Sequence, residues 1–219
     1  DYTMWTPEQF NATTFAASEG TGGETIFEMF GSIGNGYWGS WSDISNVASM
    51  DGSYADAQVS PDLINTYDDP EDVRLTNLVY APEGNCWTFK YEGKLNVAQD
   101  CNNVIILRLS EMYLNRAEAR INQNNPAGAL ADLNVIRDNR NAEALTSAGL
   151  VTVKDERRRE LAYEGHYLYD LARWKDPVTR TWYISTQNQN IEADSYRWAL
   201  PISRRELEVN ENLVQNPGY

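Results

Sequence analysis

The stretch 155-DERRRELAYEGHYLYDLARW-174 decides the fold. It opens as a charge-dense helix, passes through Leu161 and Ala162, and reaches Gly165 before a run rich in aromatic side chains. Glu156, Glu160 and Glu164 recur every fourth residue, which places them on one helix face beside Arg157, Arg158 and Arg159. A soluble helix mixes Arg, Glu and Trp this closely only when the charges are paired and partly buried. A pair of carboxylates is also what a glycosidase needs, one as acid and one as base or nucleophile. Such carboxylates face each other across a cleft from different elements, whereas these share a helix and alternate with arginines. The run therefore predicts a structural ion-paired face, in which Glu156, Arg158 and Glu160 serve folding rather than turnover. Thr152 is the expected N-cap, with Asp155 reaching back to the first turn, and Gly165 is expected to interrupt the helix.

Upstream, Leu109, Met112, Tyr113, Arg116, Ala117, Arg120 and Ile121 recur at three and four residues, the stripe of an amphipathic helix. Residues 122–125 break it. Pro126 restarts it with Asn125 as N-cap, and Ala129, Leu130, Leu133, Ile136 and Arg137 form a second stripe. Two helices with a tight break predict an antiparallel hairpin of tetratricopeptide type, present as one unit rather than an array. Glu111, Arg116 and Glu118 read as structural charges of this hairpin. Arg108 and Arg173 are expected to pair with carboxylates of neighbouring helices. Downstream, residues 198–201 read as a short extended piece and Ser203 as the cap of a brief helix. The 215-QNPGY-219 tail is expected to be ordered, with the Tyr219 ring buried.

The style changes near Asn103. Before it, Gly, Ser, Asn, Asp and Pro recur every few residues, so residues 1–103 read as a loop-rich, ligand-facing part and 104–219 as a helical part with a tail. The segment 24-ETIFEMF-30 reads as a strand, 86-CWTFKY-91 as an alternating strand, and Ser60-Pro61 as a helix start ahead of Leu63, Ile64 and Tyr67. The segment 32-SIGNGYWGSWS-42 is a Gly-rich loop carrying Tyr37, Trp38 and Trp41.

Composition narrows the function. The 219 residues carry a formal charge of −14, which repels phosphate backbones and argues against nucleic acid as a partner. The one basic triplet, 157–159, is flanked by Glu156 and Glu160 and reads as a paired face. A single histidine and the lack of a Cys-x-x-Cys pattern argue against a metal or redox site. Cys86 and Cys101 either pair, if the chain is exported, or remain as two thiols. No apolar run approaches the roughly 20 residues of a membrane helix. The chain starts with Asp and shows no signal peptide, as expected of a mature product or a fragment. With 7 Trp and 13 Tyr it is rich in flat faces with a polar handle, a composition suited to interfaces and sugar stacking.

Three segments together resemble the RagB/SusD family: 106-ILRLSEMYLNRAEA-119 continuing into 129-ALADLNVIRDNR-140, the 155–174 run, and 199-ALPISRRELEVNENLVQNPGY-219. Ser203 and Glu211 depart from it, at positions where the family commonly has proline. The resemblance implies a mainly α, SusD-like fold with a helical hairpin and a few short strands. It implies a surface glycan-binding lipoprotein of Bacteroidetes, non-catalytic and without a cofactor. Such a protein passes oligosaccharide or another nutrient to a SusC-like TonB-dependent transporter, and it is held at the outer membrane by a lipid-bearing cysteine that would lie upstream of Asp1. Family members are about twice as long, so the likeness is to their C-terminal half.

Sugar rings present C–H patches that stack on Trp and Tyr, while their hydroxyls bond to Asn, Asp and Gln. The expected ligand residues are accordingly Asn35, Tyr37, Trp38, Trp41 and Asp43, in the Gly-rich loop. Trp174, Trp182 and Trp198 are expected in the core. The alternative function is a helical-hairpin module that binds a protein and no sugar. An apolar groove on the hairpin would favour that alternative.

Overall fold

A computed structural model of the chain describes residues 1–10, 22–30, 47–48, 55–91, 103–180 and 190–219. Its contacts divide it into two compact units, Asp1–Glu164 and Gly165–Tyr219. The elements are mostly helical, with short two-stranded ribbons.

In the first unit, helix α2 (Leu109–Asn122) and helix α3 (Pro126–Asp138) form the expected hairpin. Asn125 caps α3, its side-chain oxygen accepting from the Gly128 N–H at 2.9 Å, and Pro126 sits where a missing N–H does no harm. Helix α4 (Leu150–Glu160) packs against α2. Between them lies the main core: Leu114, Ala117, Ala129, Leu133, Ile136 and Val153, with Leu161 at its edge. The buried line on α2 runs through Ser110, Leu114 and Ala117, displaced from the expected stripe. Met112, Tyr113 and Ile121 are half-buried, and Arg116 faces water. The reason is that α2 has two neighbours, α3 and α4, and its deepest residues lie between them.

Helix α4 begins at Gly149, in extended conformation and without a side-chain cap, so Thr152 falls inside the first turn rather than capping it. The helix stops at Glu160, and the chain then turns through Tyr163 and Gly165, at φ of 66° and 83°, so the break falls before Gly165 and the glycine serves the turn.

Strand β1 (Thr25–Met29) pairs antiparallel with β4 (Val104–Arg108), and β2 (Leu78–Tyr80) with β3 (Cys86–Thr88). Ile105 of β4 and Val73 pack against the buried Trp5–Phe10 pair. Ser60 caps the short helix α1 (Pro61–Ile64), its hydroxyl accepting from Asp62 N at 3.1 Å. Leu63 then joins Val59 and Cys86 in a small cluster. β3 does not alternate in burial: its three residues are all buried. The indole N–H of Trp87 donates to the Ala55 carbonyl at 2.8 Å. Cys86 is buried, and Cys101 lies outside the described residues, so their pairing stays an expectation.

The second unit holds helix α5 (Tyr167–Trp174), the two-residue strands β5 (Val178–Thr179) and β6 (Asn190–Ile191), and helix α6 (Arg204–Val209), capped by Ser203. Arg173 pairs with Asp170 of its own helix at 2.9 Å, where a neighbouring helix was expected. Trp174 and Trp198 are half-buried rather than core. Leu171 and Val178 are the buried hydrophobic side chains among the described residues of this unit, too little core to enclose an indole. Trp182 lies outside the described residues. Residues 196–198 form a 3-10 turn capped by Ser195, and the extended backbone begins only at Ala199. The tail is packed as expected. The Gln215 side chain bonds both N–H and C=O of Ile202, at 2.8 and 3.0 Å, and Gly218 (φ 94°) lies against the Tyr196 ring. Tyr219 is not buried: its ring stands edge-on to Tyr196 at 5.0 Å, half exposed, while its hydroxyl donates to the Ala199 carbonyl. A hydroxyl at the end of the chain finds its bond near the surface, so the ring stays there.

Candidate functional site

The three glutamates of the 155–174 run meet in one buried network. Helix α4 presents Glu156 and Glu160 inward, and the turn after it brings Glu164 alongside; the first two side chains are fully buried and Glu164 is 4% exposed. Arg74 reaches Glu156 at 2.6 Å and Glu160 at 3.1 Å, and holds Asp72 at 2.6 Å. Arg108 reaches Glu160 at 2.5 Å, Glu24 at 2.6 Å and Glu164 at 2.6 Å. Arg140 bonds Glu160 and Glu24 at 2.8 and 2.9 Å, with its guanidinium 4.0 Å from the centre of the Phe10 ring. Lys90 bonds Glu164 at 2.7 Å and the carbonyls of Glu160 and Ala162. Arg137 and Arg159 both bridge Glu156 to Asp68.

Six cations thus face six carboxylates: Arg74, Lys90, Arg108, Arg137, Arg140 and Arg159 against Glu24, Asp68, Asp72, Glu156, Glu160 and Glu164. Among the described residues these charges balance, and pairing is how charges this deep are tolerated. The paired-face reading agrees with the geometry for Glu156 and Glu160. Arg159 points inward from α4 and bonds Glu156, while Arg158 is half-buried. Arg108 pairs with the carboxylates of α4 and its following turn, as expected. In the hairpin, Arg116 and Arg120 both hold Asp132 at 2.6 Å, and Arg157 lies 3.7 Å from Glu111.

Electrostatics give the carboxylates their chemistry. Burial pushes the Glu160 carboxyl upward, but Arg140, Arg108 and Arg74 override it and hold the group well below its ordinary range. Glu156 is lowered by Arg74, Arg159 and Arg137 against the same opposition, and Glu164 by Arg108 and Lys90. Burial depresses the Lys90 ammonium, with Glu164 acting the other way. A general acid needs a raised pKa and a path to substrate; these glutamates are ionised, enclosed and fully hydrogen-bonded. They hold structure.

A pH dependence follows. The unfolded chain protonates these glutamates near the ordinary 4.5, the folded chain only at lower pH. Between the two values the unfolded state binds more protons, so stability rises with pH there; the contribution is whole above about 4.5 and is lost as pH falls through the folded values. Urea midpoints are expected to be level from pH 8 to 5 and to fall steeply below about 4.5, with a shallower fall in Glu160→Gln. A level profile down to pH 3 would contradict it.

Asn35, Tyr37, Trp38, Trp41 and Asp43 all lie outside the described residues. Among the described residues no group of His, Cys, Asp or Glu forms a metal site, and no helix is long and apolar enough to cross a membrane. The hairpin's apolar stripes are spent on the core, and no large hydrophobic side chain of residues 109–138 is exposed. Sequence reasoning did not single out Glu24, Asp72, Arg74, Lys90 or Arg140; their partners lie up to 135 positions away, a separation that leaves no local periodicity.

Known proteins resemble this chain in fold and sequence. A protein of Bacteroides vulgatus of known structure is similar over 100% of this chain and 51% of its own, with a TM-score of 0.88 and 28% identity. SusD-like protein P25 of Formosa agariphila is 36% identical over 137 residues, 54% of this chain and 25% of that protein. The starch-binding protein SusD of Bacteroides thetaiotaomicron is 31% identical over 126 residues, 53% of this chain and 22% of that protein. The chain therefore spans about half the length of the structural relative, and the matched part is about a quarter of the two others. The model of the SusD family matches residues 83–219, which include the hairpin, the glutamate run and the tail, and the chain belongs to that family.

Proposed function

We propose that this chain is part of a non-catalytic protein that binds glycan at the outer-membrane surface and delivers it to a SusC-like TonB-dependent transporter. The observation that carries the reading is the SusD family match, together with 31% identity to a protein named for binding starch. The enclosed glutamates support binding over hydrolysis, and the lack of an exposed large hydrophobic side chain on 109–138 supports a sugar ligand over a helical-groove protein partner.

The ligand platform is Tyr37, Trp38 and Trp41, with Asn35 and Asp43 supplying hydrogen bonds to hydroxyls. What supports it is the frame that the strand preceding the segment provides. Met29 pairs with Val104, so residues 30 and 103 leave the β1–β4 ribbon at one end. At the other end, Glu24 and Arg108 are fixed in the buried network. A loop needs such a rigid base to present rings to a ligand. Each aromatic stack contributes about 1 kcal/mol, several-fold in affinity. Calorimetric titration with starch, plant and mucin oligosaccharides is expected to find a binder. Trp38→Ala or Trp41→Ala is expected to weaken it several-fold at an unchanged melting temperature. Full affinity in both variants would remove the platform, and no binding across the panel would remove the glycan reading.

A further inference from the structure

The helical hairpin does not balance its own charges. Asp132 of α3, its side chain 3% exposed, faces two arginines of α2. Arg116 turns Nε and Nη2 to it, at 3.1 and 2.6 Å, and its guanidinium lies 5.0 Å from the centre of the Tyr113 ring. Arg120 meets the same carboxylate with Nη1, at 2.6 Å, and that nitrogen also donates to the Gly128 carbonyl at 2.9 Å. One carboxylate thus answers two guanidiniums, and a positive charge is left over where the Arg120 side chain is 31% exposed. The Nε–Nη2 edge of Arg120 has no acceptor among the described residues. A guanidinium edge of this kind makes two parallel bonds to a carboxylate. Gly128 opens the space beside it. A Cβ there would stand 2.7 Å from Asn125 Nδ2 and 3.0 Å from Arg120 Cδ, so the glycine lets an amide donor and the arginine stem converge. Asn125 Oδ1 is taken by the Gly128 N–H, which leaves Nδ2 as the donor on this side. The turn that follows Arg120 adds Asn122, Gln123 and Asn124, all exposed.

We propose that Arg120 and Asn125, held in place by Asp132 and Gly128, bind the carboxylate of an acidic saccharide of the uronic-acid class. The free guanidinium edge takes the two carboxylate oxygens, the Asn125 amide donates beside it, and the amides of the turn suit ring hydroxyls, which both donate and accept. Arg116 keeps Asp132 occupied, so that carboxylate does not compete for the free edge of Arg120. The net charge of −14 does not stand against the site. Repulsion between exposed charges is screened beyond about 8 Å at physiological ionic strength, so a single carboxylate meets the local surplus rather than the whole chain. The carboxylate chemistry stands on the hairpin's geometry, and the sugar that carries it rests on the glycan reading above.

The test follows the Asn125 side-chain amide and the Gly128 N–H in nitrogen-15 spectra of the 219-residue chain. Sodium D-glucuronate is titrated in, with sodium chloride at equal ionic strength as the baseline. The expected result is a saturable shift of both signals. The neutral methyl ester of glucuronate and sodium acetate are each expected to bind about tenfold more weakly, the first for want of charge and the second for want of hydroxyls. Arg120→Gln is expected to weaken glucuronate by about tenfold as well. Should that variant also lower the melting temperature, Arg120→Lys decides: it keeps a charge beside Asp132, loses the fork, and is expected to bind glucuronate several-fold more weakly in a chain that melts with the parent. Shifts matched by sodium chloride or by the ester overturn the proposal, as does full affinity in both Arg120 variants. Acetate binding as tightly as glucuronate overturns the saccharide assignment. The two readings fail separately. Neutral oligosaccharides that bind in calorimetry while glucuronate moves neither signal overturn this site and leave the glycan reading standing. A saturable glucuronate shift that Arg120→Gln removes, in a chain that ignores every neutral oligosaccharide, supports this site while the neutral-glycan platform falls.

Discussion

Glu160→Ala is expected to destabilise the chain by about 3–5 kcal/mol, the range seen when one partner of a buried ion pair is removed. The upper part of that range applies here, because one carboxylate serves Arg74, Arg108 and Arg140 together. Alanine takes away the charge and leaves three guanidiniums to share Glu24, Asp72, Glu156 and Glu164 at full burial. Against a total stability of about 5–15 kcal/mol for a domain, that is a large share. Urea denaturation of the variant beside Arg204→Ala gives the contrast. Arg204 pairs with Glu208 on the surface, its side chain 92% exposed, and its loss is expected to be worth about 0.5 kcal/mol or less. Equal midpoints for Glu160→Ala and the parent chain would mean that the network does not hold the fold.

Much of this was legible before any coordinates. Ser60, Asn125 and Ser203 were readable as caps because an oxygen-bearing side chain ahead of a helical pattern has a local job, and each performs it. The hairpin was readable from its period. Thr152 misled for the same local reason: a hydroxyl stood near the start of the pattern, but α4 begins at Gly149, whose extended backbone opens the helix without any side chain. The glutamate run announced burial through its composition, yet could not name its partners. Glu24 and Arg140 meet across 116 positions and Arg74 and Glu160 across 86, and no spacing rule reaches so far. Trp174 and Trp198 were expected in the core because they lie near helical and tail motifs. What a nearby motif cannot convey is how little core its surroundings have to offer. The ligand residues, Asn35 to Asp43, rest on loop chemistry alone and await the binding experiment.

Arg108 carries the second large effect. It ends β4 and stands at the start of α2, and its guanidinium bonds the carboxylates of Glu24, Glu160 and Glu164, the Ser110 hydroxyl and the Glu160 carbonyl. Five acceptors in different directions suit a planar fork, whereas an ammonium is one point on a flexible stem. Arg108→Ala is expected to cost about 3–5 kcal/mol, and Arg108→Lys to recover less than half of that, although it restores the charge. If lysine recovers nearly all of it, the geometry of the fork is irrelevant and only charge matters. The double variant Glu160→Ala with Arg108→Ala separates the pair from the cluster. Removing both restores neutrality, so the double variant is expected to fall short of the summed single effects by about 1 kcal/mol or more. Strict additivity would mean that the two residues act independently at a contact of 2.5 Å. Coupling would show that the network works as a closed electrostatic unit, one that fixes the register of the ribbon against α4 and fails as a whole when any of its ions is left unpaired.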